Sequence, residues 1–354
     1  MRFETLEPGG HVYLRNAWYV AAWDHEIGRE LHPLTVLGER IVMYRSRSGQ
    51  VVALENACPH RKLPLSMGRL LDDQIECGYH GLTFDATGHC TRIPCSDFIP
   101  KGARVRSYPA VSRYGLAWIW MGPPELADAS TIFAVEHHGD PGWATNSGDA
   151  MSVDAHYLFV TDNLLDPSHV AWVHRGSFGD ASCESEPVRV EAAATGVTAS
   201  RWLCNVEVAG FYKPFVSFAG RCDRLQHYEV RYPSHALIKA VIVPAGQADP
   251  SAMRHPQAFI MDSYNFMTPT DENHTRYYWF QVRNFAPADD SVSQAMTREV
   301  RAIFEEDRVI LRAVHEGFAN KTSPNIDIAI DAAPLRFRRR LGQLIAAERA
   351  SLSV

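Results

Sequence analysis

Short apolar runs broken by turn residues fill the first third of the chain. Ile41-Val42-Met43-Tyr44 and Val51-Val52-Ala53-Leu54 flank Ser48-Gly49, which predicts a β-hairpin. Asp72-Asp73 marks a turn before Ile75, and Asp85 with Gly88 marks another. Arg104 to Pro109 and Leu116 to Met121 predict two further strands around Tyr114-Gly115. Many short strands with regular turns predict a small β-sandwich or barrel, from whose end rigid loops can project. Asn16 to Trp23 is a dense apolar and aromatic segment expected to pack on that unit. Gly122-Pro123-Pro124 closes the run, and a boundary near Phe133 divides the chain into domains 1–133 and 134–354.

The pattern then changes. Leu158, Phe159, Leu164 and Leu165 recur at roughly helical spacing and predict a helix over His156 to Asp166. Residues 187–283 alternate as a long antiparallel sheet would, with Tyr277 to Val282 as a buried strand and Gly246 to Pro256 as a loop. Ser291 to Ala319 predicts a long helix whose apolar face is Val300, Ile303, Phe304, Val309, Ile310 and Ala313. A terminal helix is expected over Leu335 to Arg349, with the Arg336 to Arg340 cluster as a solvated or interface face.

Composition narrows the classes. The 354 residues are 46% hydrophobic and 21% charged, as in a globular protein with room for two cores. A net charge of -6 without a basic block argues against nucleic-acid binding. No apolar run approaches the roughly 20 residues of a membrane span, and the N-terminus has no signal-peptide pattern. Seven cysteines without framework spacing predict reduced thiols and a cytoplasmic location. Cys90, Cys95, Cys183, Cys204 and Cys222 read as small buried apolar residues.

The remaining two cysteines carry chemistry. Cys58-Pro59-His60 is followed, after sixteen residues, by Cys77-Gly78-Tyr79-His80. Two thiolates and two imidazoles on two short loops fit zinc, which would take all four in one tetrahedron. They also fit a Rieske [2Fe–2S] cluster, with both Cys on one iron and both His on the other. With Arg61 after His60 and Gly81 after His80, the two loops resemble the Rieske signature more than a zinc module. A second stretch runs Asp162-Asn163-Leu164-Leu165-Asp166-Pro167-Ser168-His169 and on to His174. Its two His are five apart, off one face of an ideal helix, but Pro167 must interrupt the helix and a bent segment can aim both inward.

Together these stretches resemble the Rieske non-haem iron oxygenases, in particular the short oxygenase components that demethylate or hydroxylate methyl groups. The resemblance extends over Asn16-Ala17-Trp18-Tyr19-Val20-Ala21, Gly78-Tyr79-His80-Gly81-Leu82, Arg283-Asn284-Phe285 and Phe304 to Arg308. Leu82 and Gly78 stand where many members have Trp and Pro, changes that should leave the cluster intact. The resemblance implies an α+β fold: an all-β Rieske domain, then a catalytic domain of helix-grip type, an antiparallel sheet wrapped around helices. It implies that Cys58, His60, Cys77 and His80 hold the cluster and that His169, His174 and Asp307 hold Fe(II), with Glu305 and Glu306 as neighbouring alternatives to Asp307. Asp166 would bridge His169 and His80 of a neighbouring chain through its carboxylate, which requires a ring of subunits, usually a homotrimer. Asn163 would orient water or substrate near the iron. The chain shows no Gly-x-Gly-x-x-Gly loop after a strand, so electrons from NAD(P)H must come through a separate flavin/iron-sulfur reductase.

The resemblance also implies O2 as co-substrate and a small aromatic acid hydroxylated at a methyl or methoxy carbon. Ring cis-dihydroxylation and N-demethylation use the same machinery. A Rieske electron carrier or a zinc protein is the alternative from another class. An aromatic anion needs a cation in an otherwise apolar pocket. Lys239, inside the apolar run Leu237 to Val243, Arg298 and Asn265 are the candidates. The opposite placement leaves Lys239 on the solvent face of an alternating strand and Arg298 on a helix surface.

Overall fold

The computed structural model describes residues 13–352 apart from Cys95, Ser147, Gly176, Asp180, Ala181 and Lys321. Residues 13–132 with 268–271 form one compact unit, and 133–267 with those from 272 onward form the other. The first unit is built of short strands: β1 (Trp18–Trp23), β2 (His32–Val36), β3 (Glu39–Arg45), β4 (Val51–Glu55), β5 (Arg69–Leu71), β6 (Gln74–Glu76), β7 (Thr83–Phe84), β8 (Cys90–Arg92), β9 (Ser107–Tyr108), β10 (Ala110–Arg113) and β11 (Leu116–Trp120). They pair as three sheets, β1-β11-β10, β2-β3-β4-β9 and β5-β6-β7-β8. The turns explain the order. Gly49 takes φ 85 between β3 and β4, and Tyr114 and Gly115 take φ 57 and 74 between β10 and β11, a conformation that matches strand twist. Arg104 to Val105 is bridged only at Arg104, so the expected strand there shrinks to β9.

The second unit is one eight-stranded antiparallel sheet and five α-helices among the described residues. Its strands are β12 (Ala144–Thr145), β13 (Asp149–Val153), β14 (Arg189–Ala192), β15 (Gly196–Val206), β16 (Cys222–Arg231), β17 (His235–Pro244), β18 (Phe259–Pro269) and β19 (Thr275–Arg283). The order is β12-β19-β18-β17-β16-β15-β14, with β13 also on β19. The helices are α1 (Tyr157–Asn163), α2 (Val170–Val173), α3 (Ser182–Ser185), α4 (Asp290–Asn320) and α5 (Ala332–Leu352). Alternation gives the sheet two faces. On one, Tyr277 and Trp279 of β19 meet Phe304 of α4 at ring distances of 5.3 and 5.2 Å. On the other, Phe133 packs edge-on to Tyr264 and Phe266, and Glu136 donates its amide N–H to Tyr264 Oη at 2.9 Å.

Three expectations need correction. The buried face of α4 is Met296, Val300, Ile303, Phe304, Asp307 and Leu311, whereas Val309, Ile310 and Ala313 are exposed. Beyond Asp307 the buried residue of α4 is Leu311, and Phe159 of α1 packs against His315 and Phe318. Cys204 is exposed on the bulged end of β15, while Cys90, Cys183 and Cys222 are buried; Cys95 lies outside the described residues. The arginine cluster is not uniformly solvated: Arg338 forms an ion pair with Asp162 at the end of α1.

Candidate active site

The two Cys/His loops are the same turn built twice. Cys58 N–H donates to Leu63 O at 2.9 Å and Lys62 N–H to Cys58 O at 2.8 Å. Cys77 N–H donates to Leu82 O at 2.8 Å and Gly81 N–H to Cys77 O at 3.1 Å. Each turn closes on a left-handed residue, Lys62 at φ 59 and Gly81 at φ 72. The cysteines belong to the core with Leu65, Ile75 and Phe84, while His60 and His80 are exposed with ring centroids 4.6 Å apart. Close approach is built in: a Cβ on Gly68 would stand 2.1 Å from Glu76 O, and one on Gly78 would stand 2.7 Å from Met67 O.

This segregation tests the metal. A Rieske cluster needs a thiolate pair on an inner iron and an imidazole pair on an outer one, and the loops offer a buried Cys pair beneath an exposed His pair. Burial first, then the neighbouring Cys77 thiol, pushes the Cys58 thiol up, and a bound cation offsets that cost of the thiolate. Desolvation, then the His60 and Arg61 charges, holds His80 below the ordinary histidine range, in the neutral form that ligates metal. The residues fit the cluster.

The second centre forms where α1 ends. Leu164 caps α1, and Asp166 and Pro167 form the break. His169 and His174 then bracket α2, a single turn, as its two caps. That geometry answers the five-residue spacing: the rings sit 5.2 Å apart, nearly perpendicular. Asp307 arrives from α4. Its Oδ1 is 3.7 Å from His169 Nε2 and 3.2 Å from His174 Nε2, and the ligand atoms of all three lie within 4.8 Å of one another. Two imidazoles and one carboxylate on one side of a site suit Fe(II) with open positions. The residues fit that metal.

The neighbours of the triad hold its orientation. Asn163 Nδ2 donates to Asp307 Oδ1 at 3.1 Å, and Glu306 Oε2 lies 2.8 Å from His174 Nδ1. Burial works against protonation of His174, but Asp307 and Glu306 outweigh it and raise its pKa. Glu305 pairs with Arg308 instead, so of the three consecutive acids only Asp307 faces the Nε2 atoms. Asp166 differs from expectation: His169 Nδ1 bonds its main-chain carbonyl, and carboxylate Oδ1 accepts Ser168 N–H at 2.7 Å. The carboxylate therefore does not hold His169.

A largely apolar cavity adjoins the triad, walled by residues such as Phe178, Ile238, Ala240, Met261, Val300 and Ile303. Of the three expected substrate residues Lys239 borders the cavity, whereas Asn265 and Arg298 are not among its lining. Lys239 belongs to β17 at its edge, but its cross-strand partners His227 and Asp262 lie on the face opposite Gln226 and Met261. Its ammonium is 3.0 Å from the buried Asp262 carboxylate, whose pKa burial raises despite that cation. Asn265 is buried away from the cavity, donating to Ser263 O and accepting from Tyr277 Oη, each at 2.9 Å. Arg298 is exposed on α4, two residues out of phase with Val300. Besides the triad and Lys239, the polar groups that line the cavity are Arg224, Gln226, Tyr228 and Ser263. Arg224, Gln226 and Tyr228 alternate along β16, a period-two signal present in the sequence but unread there.

Both parts of the chain match known protein families. Residues 17–109 match the Rieske [2Fe-2S] domain and 153–347 the vanillate O-demethylase oxygenase C-terminal domain. The iron-sulfur subunit of a toluene-4-sulfonate monooxygenase system from Comamonas testosteroni is 38% identical over 95% of this chain and 98% of its own. A vanillate O-demethylase oxygenase subunit from Pseudomonas sp. (strain HR199 / DSM 7063) is 31% identical over 95% and 96%. The crystal structure of dicamba monooxygenase bound to 3,6-dichlorosalicylic acid superposes with a TM-score of 0.86 at 29% identity, covering 96% of this chain and 99% of that one. Dicamba monooxygenase has also been solved with non-heme iron and dicamba.

Proposed function

The chain belongs to the Rieske non-haem iron oxygenases of the vanillate O-demethylase type, and from that premise we propose that it hydroxylates a methyl or methoxy carbon of a small aromatic acid. It is the oxygenase component of a multi-component system in which a separate reductase delivers the electrons. When bound, the [2Fe–2S] cluster and Fe(II) supply electron transfer and O2 activation. Cys58 and Cys77 would hold the inner side of the cluster and His60 and His80 its outer side. His169, His174 and Asp307 would hold the iron.

The remaining work falls on the protein. Glu306 and the Asp166 carbonyl, each bonded to an Nδ1, turn the Nε2 atoms of His174 and His169 toward the metal position. Asn163 keeps Asp307 Oδ1 aimed there. The apolar walls exclude water and present a C–H bond to the triad. Hydroxylating a methoxy carbon gives a hemiacetal that collapses to a phenol and formaldehyde; an aryl methyl gives a benzylic alcohol.

The observation that carries this reading is the convergence of His169, His174 and Asp307 on one wall of a largely apolar cavity. A single turnover of reduced enzyme with O2 and a panel of methoxy- and methyl-substituted aromatic acids tests it. Formaldehyde with a phenol, or a benzylic alcohol, is expected. A cis-diol would replace it with ring dihydroxylation, and no product from any acid would refute it.

The assembly proposed is a homotrimer. Its support is complementary surfaces: exposed Arg61, Lys62, Met67 and Tyr79 around His60 and His80, against a cleft bearing Asp166, Asp327 and Ile326. A cytoplasmic location is supported by the free thiols of Cys90, Cys183 and Cys222. Among the described residues no helix is long and apolar enough to cross a membrane.

A further inference from the structure

Arg224, Gln226 and Tyr228 stand side by side on the cavity face of β16. Arg224 is only 2% exposed. It donates to Phe178 O at 3.0 Å and to Cys183 Sγ at 2.9 Å. Gln226 accepts from Arg201 Nε through Oε1 at 2.7 Å, which turns its amide N–H2 the other way, 3.8 Å from the same sulfur. Donors from a cation and an amide therefore converge on one acceptor, and a thiol sulfur is a weak one. A carboxylate or sulfonate oxygen is a far better acceptor for a guanidinium, whose planar fork also matches its geometry. The anchor lies close to the iron-ligand candidates: the Phe178 ring is 6.3 Å from that of His174.

We propose that Arg224, assisted by the Gln226 amide, binds the acid group of the substrate, displacing the sulfur of Cys183 from these donors. The assignment rests on the aromatic-acid reading above and selects the residue responsible for it. Of the two cationic side chains bordering the cavity, Lys239 stands on the opposite sheet face, bound to Asp262. Arg224 is left as the cation on the substrate side. The site would then discriminate by charge at one end of the ring and leave the other end to the apolar walls.

The test is calorimetric binding to the iron-loaded enzyme. Toluene-4-sulfonate and 4-methylbenzoate are compared with their neutral amides, toluene-4-sulfonamide and 4-methylbenzamide. Arg224→Gln should weaken binding of the acids about tenfold to hundredfold while the amides change by no more than about threefold. Arg224→Lys keeps the charge without the fork and should lose part of that factor, which preserves the test if the glutamine variant fails to fold. The double variant Lys239→Met/Asp262→Asn, which removes that pair together, should leave acid binding within about twofold. Equal weakening of acids and amides in the Arg224 variants would overturn the assignment, as would a loss in the double variant matching that of Arg224→Gln. Wild-type enzyme that binds the amides as well as the acids would also overturn it, leaving the hydroxylation reading in place. Wild-type enzyme that binds and converts no aromatic acid would remove both.

Discussion

Asn163 and Asp307 are 144 residues apart, and the Asn163 side-chain amide donates to Asp307 Oδ1 at 3.1 Å. The bond ties the end of α1 to the middle of α4 at the point where both present groups to one centre. Asn163→Ala removes it without adding charge. Iron affinity should fall roughly tenfold to hundredfold, as for other partners of metal ligands. Iron content after dialysis against a weak chelator reads this, with cluster absorbance unchanged. Full retention of iron would show that α4 packing alone positions Asp307.

Asp166 is expected to act in electron delivery rather than in iron binding. Its main-chain carbonyl holds His169, so Asp166→Asn should keep the iron. If the carboxylate connects to the cluster of a neighbouring chain, reoxidation of reduced clusters in a single turnover should slow by about 100-fold or more. A wild-type rate in the variant would take Asp166 off the path.

The cluster loops tolerate no added Cβ at two glycines. Gly68→Ala places a methyl 2.1 Å from Glu76 O, and Gly78→Ala places one 2.7 Å from Met67 O. Both should lower cluster occupancy, measured as acid-labile sulfide, and Gly68→Ala should do so more severely because its clash is deeper and against strand backbone. The reverse order would mean that the loop carrying Gly78 is the stiffer of the two.

One acid sets a pH window for stability. His227 first, and Arg231 as well, pull Glu229 down from 4.5 to about 2 against the effect of burial. With its folded value below its unfolded one, Glu229 stabilises the fold above about pH 4.5, and that contribution is lost as pH falls toward 2. Glu229→Gln should therefore lower the urea midpoint most at neutral pH, with the deficit shrinking as pH drops below 4.5. A deficit that stays constant with pH would assign the effect to packing alone.

Much of the architecture was legible in the chain. The turn residues Ser48-Gly49 and Tyr114-Gly115 announced their hairpins because positive φ is a property of the local backbone. The long helix was readable to within a residue at either end, observed over Asp290–Asn320. Its apolar face was legible only as far as Asp307. Past that point Val309 and Ile310 are apolar yet exposed, and periodicity cannot report which apolar positions find a partner.

The ligand candidates follow the same division. Cys58, His60, Cys77 and His80 are carried by two local turns, so their spacing alone announced a metal site. His169 and His174 were legible as a pair because Pro167 must break the helix before them. Which of Glu305, Glu306 and Asp307 faces the histidines was decided by the roll of α4, and Glu306 went to the far nitrogen of His174. The polar wall of the cavity was decided wholly by the sheet. Lys239 stands out in sequence because it interrupts the apolar run Leu237 to Val243, whereas Arg224 sits among the polar residues of β16 and draws no notice there. Register places Lys239 across from Asp262 on the outer face and Arg224 on the inner one, because a strand alternates its side chains and only its neighbours determine which face meets the cavity.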